Sequence, residues 1–238
     1  LLPLQAIIDI RHYTIALDID IRQQSIKGSV EVSLNLSKKT DTLLLNLVHL
    51  YTVTKITVNK KVTGFDQHDD KIFITSSTGF EIGNHTVTIE YNGIPPVAVK
   101  PPWDGGFTWT KDSNGNDWVA INIQGEGGKM YFPCKDHPSD EPNEGADLKI
   151  TVPSGLVVAG PGLLMSVTTK KNKSTYHWKT NYTISNYCIL FNIGKYKVIK
   201  DNPAIIALIM PRRIKNSLLW TPGTISEPIT AACPVPKA

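Results

Sequence analysis

Gln124 and Glu126 place a carboxamide and a carboxylate two residues apart, in the run Ile121-Asn122-Ile123-Gln124-Gly125-Glu126-Gly127-Gly128. Val119, Ile121 and Ile123 share one parity, while Asn122, Gln124 and Glu126 share the other. In an extended backbone the first set is buried and the second is displayed, with the amide and the carboxylate about 7 Å apart from the strand rise of roughly 3.3 Å per residue. Such a pair suits a small cationic group. Gly125, Gly127 and Gly128 allow a positive φ or a close approach of the backbone.

The next segment, Phe132-Pro133-Cys134-Lys135-Asp136-His137-Pro138-Ser139-Asp140-Glu141-Pro142, is dense in acid and proline. Asp136, Asp140 and Glu141 read as turn caps that pair with backbone amides rather than as a metal cluster. His137, between Asp136 and Pro138, reads as a structural residue, and Cys134 as a buried, inert thiol. The three cysteines, Cys134, Cys188 and Cys233, lie far apart, with no CxxC and no zinc-knuckle spacing. No catalytic residue and no metal ligand is assigned. Trp103, Trp109 and Trp118 are read as packed residues, against the alternative of a sugar-stacking platform.

The elements that must position these groups are strands. Tyr13, Ile15, Leu17, Ile19 and Ile21 alternate with polar or small residues. Val30, Val32, Leu34 and Leu36 follow Lys27-Gly28, which reads as the turn of a hairpin. The alternation returns at Leu43/Leu45/Leu47, Ile56/Val58, Ile72/Ile74 and Val87/Ile89/Tyr91, and again at Leu148/Ile150/Val152, Tyr176/Trp178 and Ile189/Phe191/Ile193. Turn residues separate these runs, and no stretch of helical length carries an apolar stripe. The pattern predicts an all-β fold, an antiparallel β-sandwich of saddle-like packed sheets with long loops. Ile94 to Lys111, rich in proline and aromatics, reads as one long loop. Residues 1–200 form the predicted β domain; 201–238, where the rhythm fades, read as a linker or the remnant of a following region.

The chain has 238 residues, a net charge of +4 and 19% charged residues. Its lysines are spread rather than clustered, which argues against a nucleic-acid partner. The opening Leu1-Leu2-Pro3-Leu4-Gln5-Ala6-Ile7-Ile8 is too short and interrupted for a signal peptide or a membrane span. Four glycosylation sequons begin at Asn35, Asn84, Asn172 and Asn181, a number that chance readily supplies. The compartment stays open, with a secreted or periplasmic location favoured over a cytoplasmic one.

Taken together, Gln124-Gly125-Glu126 and the run from Phe132 to Pro142 resemble the N-terminal domain of M1-family zinc aminopeptidases. Ala146 to Pro153 looks like the family's next strand. Tyr176-His177-Trp178, Ile184-Ser185-Asn186-Tyr187 and Ile193-Gly194-Lys195-Tyr196 resemble its closing strands. The resemblance covers roughly residues 9–200. It implies a β domain that precedes a thermolysin-like catalytic domain carrying HExxH and GxMEN. HExxH places two histidines one helical turn apart to share a zinc, with the glutamate acting on its water. None of His12, His49, His68, His85, His137 and His177 is followed by glutamate, and GxMEN is absent. By this reading the chain is excised or naturally truncated, holds no cofactor and is inactive alone; the zinc belongs to a catalytic domain that would be its partner.

The resemblance further implies that Gln124, Gly125 and Glu126 bind substrate. Glu126 would accept the free α-amine of a peptide and Gln124 would be its amide companion. The alternative reading is a stand-alone β-sandwich module that binds glycan or protein.

Overall fold

Apolar side chains at alternate positions face inward along most of the long strands, and that alternation builds the molecule. The structure is a computed structural model that describes residues 1–101, 103–201 and 205–209. Its strands are β1 (Ile8–Asp20), β2 (Ser25–Leu36), β3 (Thr40–Asn46), β4 (Tyr51–Val58), β5 (Lys61–Val62), β6 (Gly64–His68), β7 (Lys71–Phe80), β8 (Gly83–Gly93) and β9 (Gly106–Lys111). They continue as β10 (Asp117–Asn122), β11 (Ala146–Pro153), β12 (Val157–Ala159), β13 (Leu163–Lys170), β14 (Lys173–Thr180), β15 (Asn192–Gly194), β16 (Lys197–Asp201) and β17 (Ile205–Ile209). The α-helical content of the described residues is one turn, α1 (Pro3–Ala6). The predicted all-β class holds.

An eight-stranded sheet runs in the order β13-β14-β11-β1-β2-β8-β4-β5. Its neighbours are antiparallel except β1 and β11, which run parallel with Tyr13 opposite Ala146. A four-stranded sheet, β12-β15-β10-β9, and a three-stranded sheet, β3-β7-β6, send side chains into the same hydrophobic core. Leu17, Val30, Ile89 and Ile150 of the large sheet share one core with Leu43 and Ile74 of the three-stranded sheet, Val119 of the four-stranded sheet and Phe191 just before β15. β16 and β17 pair with each other. Most of the predicted 201–238 region lies outside the described residues.

Two departures from the sequence reading have clear causes. The first hairpin turns at residues 21–24, with Gln24 at φ 51°, rather than at Lys27-Gly28. Gly28 lies inside β2 opposite Leu17, where a Cβ would stand 2.0 Å from the Ala16 carbonyl oxygen. Its glycine answers to a close strand approach, not a turn. The second departure is in the aromatic loop, whose last six residues form β9 and pair with β10. A bulge between Ile10 and His12 also shifts the parity of β1, so that Ile8 and Ile10 share the core with Tyr13 and Ile15.

Candidate functional site

β10 ends at Asn122, and the chain leaves the sheet there. Val119, Ile121 and Ile123 are buried as the parity predicts. Beyond Ile123 the extended geometry stops: the Glu126 and Gly127 amides both donate to the Ile123 carbonyl, at 3.2 and 2.8 Å. Gln124, Gly125 and Glu126 therefore sit on an exposed turn rather than on a strand face. Gly125 at φ +83° and Gly127 at φ +88° make that turn, a conformation that L side chains resist. The strand-based spacing of Gln124 and Glu126 does not apply. The exposure of both side chains does.

The turn is held from both sides. The stem of Glu126 crosses Gly105, where an added Cβ would come within 2.3 Å of Glu126 Cγ. Asn122 Nδ2 donates to the Asp104 carbonyl at 3.0 Å, tying β10 to the same loop. On the far side a 3-10 turn (Gly128–Met130) leads into buried Tyr131 and Phe132. Three tyrosines fasten it by donating to carbonyls: Tyr51 to Met130 at 2.9 Å, Tyr91 to Tyr131 at 2.6 Å, and Tyr131 to Ile189. Burial pushes all three phenols well above their ordinary range, so each remains a donor at any physiological pH.

The acid- and proline-rich segment then folds back beneath the turn. Cys134 and Asn46 exchange backbone hydrogen bonds at 3.0 and 2.7 Å. Cys134 is fully buried, and burial first, then the charge of Asp136, drive its thiol well above the ordinary value. The inert-thiol reading is consistent with this. Lys135 and Asp140 form a buried ion pair at 2.7 Å, and Asp140 also accepts from the Ile10 amide. Asp140 is thus the amide-pairing residue that its sequence context predicts. His137 Nδ1 lies 2.7 Å from Ser139 Oγ and accepts from the Ser139 amide, a local structural bond.

Asp136 behaves differently. Its carboxylate meets the Lys129 ammonium at 2.9 Å with only 10% of the Asp136 side chain exposed. It also fills the space beside Gly127, where a Cβ would stand 1.8 Å from Asp136 Oδ1. Burial disfavours the Lys129 charge, but the hydrogen bond to Asp136 and the charge of Asp136 outweigh it, with Cys134 and Glu126 adding to them, and the net effect is upward. Above the pair lies an open cavity of about 340 Å³, lined by Gly125, Glu126, Lys129, Asp136, His137 and Asn186 among others. The fold thus brings Gly125 and Glu126 to one cleft, while Gln124 is exposed but not among its lining residues.

Lys129, Asp136 and Asn186 are the site residues that sequence reasoning did not assign. Lys129 and Asp136 carry no spacing signal, because the turn that joins them follows no fixed period. Asn186 belongs to a segment read as a closing strand. It begins a 3-10 turn (Asn186–Cys188), and its Nδ2 donates to the Lys135 carbonyl at 3.0 Å.

Among the described residues no group of three or more His, Cys, Asp and Glu side chains could hold a metal ion. The residues present do not fit a zinc centre, and no step is derived through one. No helix of the described residues is long and apolar enough to cross a membrane. What the cleft offers is a single exposed carboxylate on a braced glycine turn, beside an ion pair that neutralises itself.

The chain belongs to the M1 peptidase family: the model of the Peptidase M1 N-terminal domain matches residues 10–188. It is 23% identical over 219 residues to a leucyl aminopeptidase of Saccharolobus solfataricus, covering 88% of the chain and 25% of that protein. In fold it resembles an M1 zinc metallopeptidase from Deinococcus radiodurans, with a TM-score of 0.68 and 18% identity over 84% of the chain and 46% of that structure. It likewise resembles yeast LTA4 hydrolase, with a TM-score of 0.68 and 19% identity over 88% of the chain and 32% of that structure. The chain spans a quarter to about half the length of these relatives.

Proposed function

We propose that residues 1–200 are the N-terminal substrate-recognition and structural domain of a zinc-dependent aminopeptidase, and that Glu126 anchors the free α-amine of a peptide. Gln124 and Gly125 complete the anchor, Gly125 through its backbone. Residues 201–238 would be a linker or the remnant of the following region. Zinc and the hydrolytic step belong to a catalytic domain, the partner against which the Glu126 turn would close.

The observation that carries this reading is the placement of Glu126, exposed at the lip of the cleft on a turn braced by Gly105 and the Tyr51, Tyr91 and Tyr131 hydroxyls. An exposed ion pair is worth about 0–1 kcal/mol, which is too little to select an N-terminus. Covered by a second domain, a charge-assisted hydrogen bond is worth about 1.5–3 kcal/mol, or roughly one to two decades of preference. The half-site on this chain therefore makes chemical sense as one wall of a closed pocket.

The test is direct. Glu126→Gln in the complete reading frame that carries these residues should raise KM for a free-amine substrate by about tenfold, the loss of one charge-assisted bond. The urea midpoint should stay within experimental error. An unchanged KM removes the anchor. A second reading, a glycan-binding module, draws on Trp103, which is 84% exposed. Trp118 instead donates to Tyr196, and Trp109 stacks on Phe107, so the three tryptophans form no shared platform. A saturable change in tryptophan fluorescence on titration with oligosaccharides would favour it.

A further inference from the structure

Lys129 brings an ammonium into the cleft that holds the Glu126 carboxylate. Lys129 lines the same cavity as Glu126 and lies three residues beyond it. Left alone, an ammonium on a flexible four-carbon stem settles on the nearest available carboxylate. Among the cavity-lining residues the carboxylates are Glu126 and Asp136.

The structure puts Lys129 on Asp136, and for a physical reason. Asp136 is nearly buried while Glu126 is exposed, and Coulomb attraction strengthens as the local dielectric falls. Both partners also hang from fixed backbone. The Lys129 carbonyl accepts from the Val48 amide at 3.1 Å, and the Asp136 amide donates to Asn46 Oδ1 at 3.3 Å. Asn46 is itself held by Cys134 and by Gln5. The Asp136 carboxylate, seated against Gly127, thereby stands at the foot of the same turn that carries Glu126.

We propose that Asp136 is a positioning residue that holds the Lys129 ammonium away from Glu126 and so keeps the Glu126 carboxylate open for a peptide amine. The inference rests on the reading of Glu126 as the amine anchor. Without Asp136, Lys129 becomes an internal competitor that imitates the substrate.

The test uses the complete reading frame that carries these residues, with leucine p-nitroanilide as the free-amine probe. Asp136→Asn should raise KM by about two- to fivefold, the strength of an exposed ion pair, with kcat little changed. Adding Lys129→Met to that variant should return KM to within about twofold of wild type. A purely structural Asp136 predicts no such rescue, so a double variant as weak as Asp136→Asn overturns the proposal. Should Asp136→Asn fail to fold, Lys129→Met alone decides: KM at or below the wild-type value supports the proposal, and a raised KM overturns it. Glu126→Gln separates the two levels. If it leaves KM unchanged, the anchor fails and the proposal falls with it; if it raises KM while the rescue is absent, only the role of Asp136 falls.

Discussion

Asp140 meets Lys135 at 2.7 Å where only 6% of either side chain is exposed, and the pair joins the acid- and proline-rich segment to β1. Lys135 Nζ also donates to the Ile8 carbonyl, and the Ile10 amide donates to Asp140. Lys135→Met should cost about 3–5 kcal/mol, because it strands a buried carboxylate. Lys135→Met with Asp140→Leu should recover only part of this, since the Ile10 amide then lacks its acceptor, at about 1–3 kcal/mol. Urea unfolding of the two variants checks the order.

Glu126 depends on the absence of a side chain at residue 105. Gly105→Ala would put a methyl group 2.3 Å from Glu126 Cγ and 2.8 Å from its Cβ, so Glu126 must turn aside. The expected outcome is a KM for free-amine substrate raised toward that of Glu126→Gln, with stability changed by less than about 1 kcal/mol at this half-buried loop position. Equal KM values for wild type and Gly105→Ala would show that the position of the Glu126 stem is immaterial.

Cys134 should resist alkylation in the native chain. Burial raises its thiol first, the Asp136 charge adds to this, and Lys129 opposes it more weakly. Thiolate is the reactive form. Treatment with iodoacetamide near pH 8, followed by peptide mass mapping, should leave Cys134 unmodified in buffer and modified in urea. Labelling of Cys134 in the folded chain would contradict its burial.

The Lys129–Asp136 pair carries a pH signature. Burial lowers the Lys129 value, the Asp136 hydrogen bond and charge raise it further, and the folded value ends above the ordinary 10.5. A group raised on folding adds stability that is complete below its unfolded value and lost as pH rises through its folded value. The stability difference between wild type and Lys129→Met should thus be constant from neutral pH to about pH 10 and shrink beyond it. Urea midpoints from neutral pH upward check this; a difference that does not decline at alkaline pH would overturn the assignment.

Where one face of a strand is buried, alternation alone located it. β1, β2, β8 and β11 follow Ile15, Val32, Ile89 and Ile150, each fully buried. β13 was invisible because Leu163, Met165 and Val167 are exposed along with its polar residues, so no contrast marks its faces. β9 was missed because the prolines and glycines that precede it made the whole stretch read as a loop. At the site, Glu126 was legible from its motif, but its geometry was not, since positive φ at Gly125 and Gly127 ends the strand that parity assumes. Asp136 was legible only as a turn residue. Its contact with Lys129 is a product of the folded path between them.

The translation rate sets the earliest moment at which β1 can pair in parallel with β11. Tyr13 finds Ala146 across a sequence separation of 133 residues. At about 5–20 residues per second, a ribosome needs roughly 7–27 s to supply that partner. Until then β1, which ends as an interior strand, is a raw edge. The Glu126 turn and the Lys135–Asp140 pair lie inside that interval and Asn186 of the same cleft follows it, so the cleft is completed only after the hairpin of β1 and β2 is available.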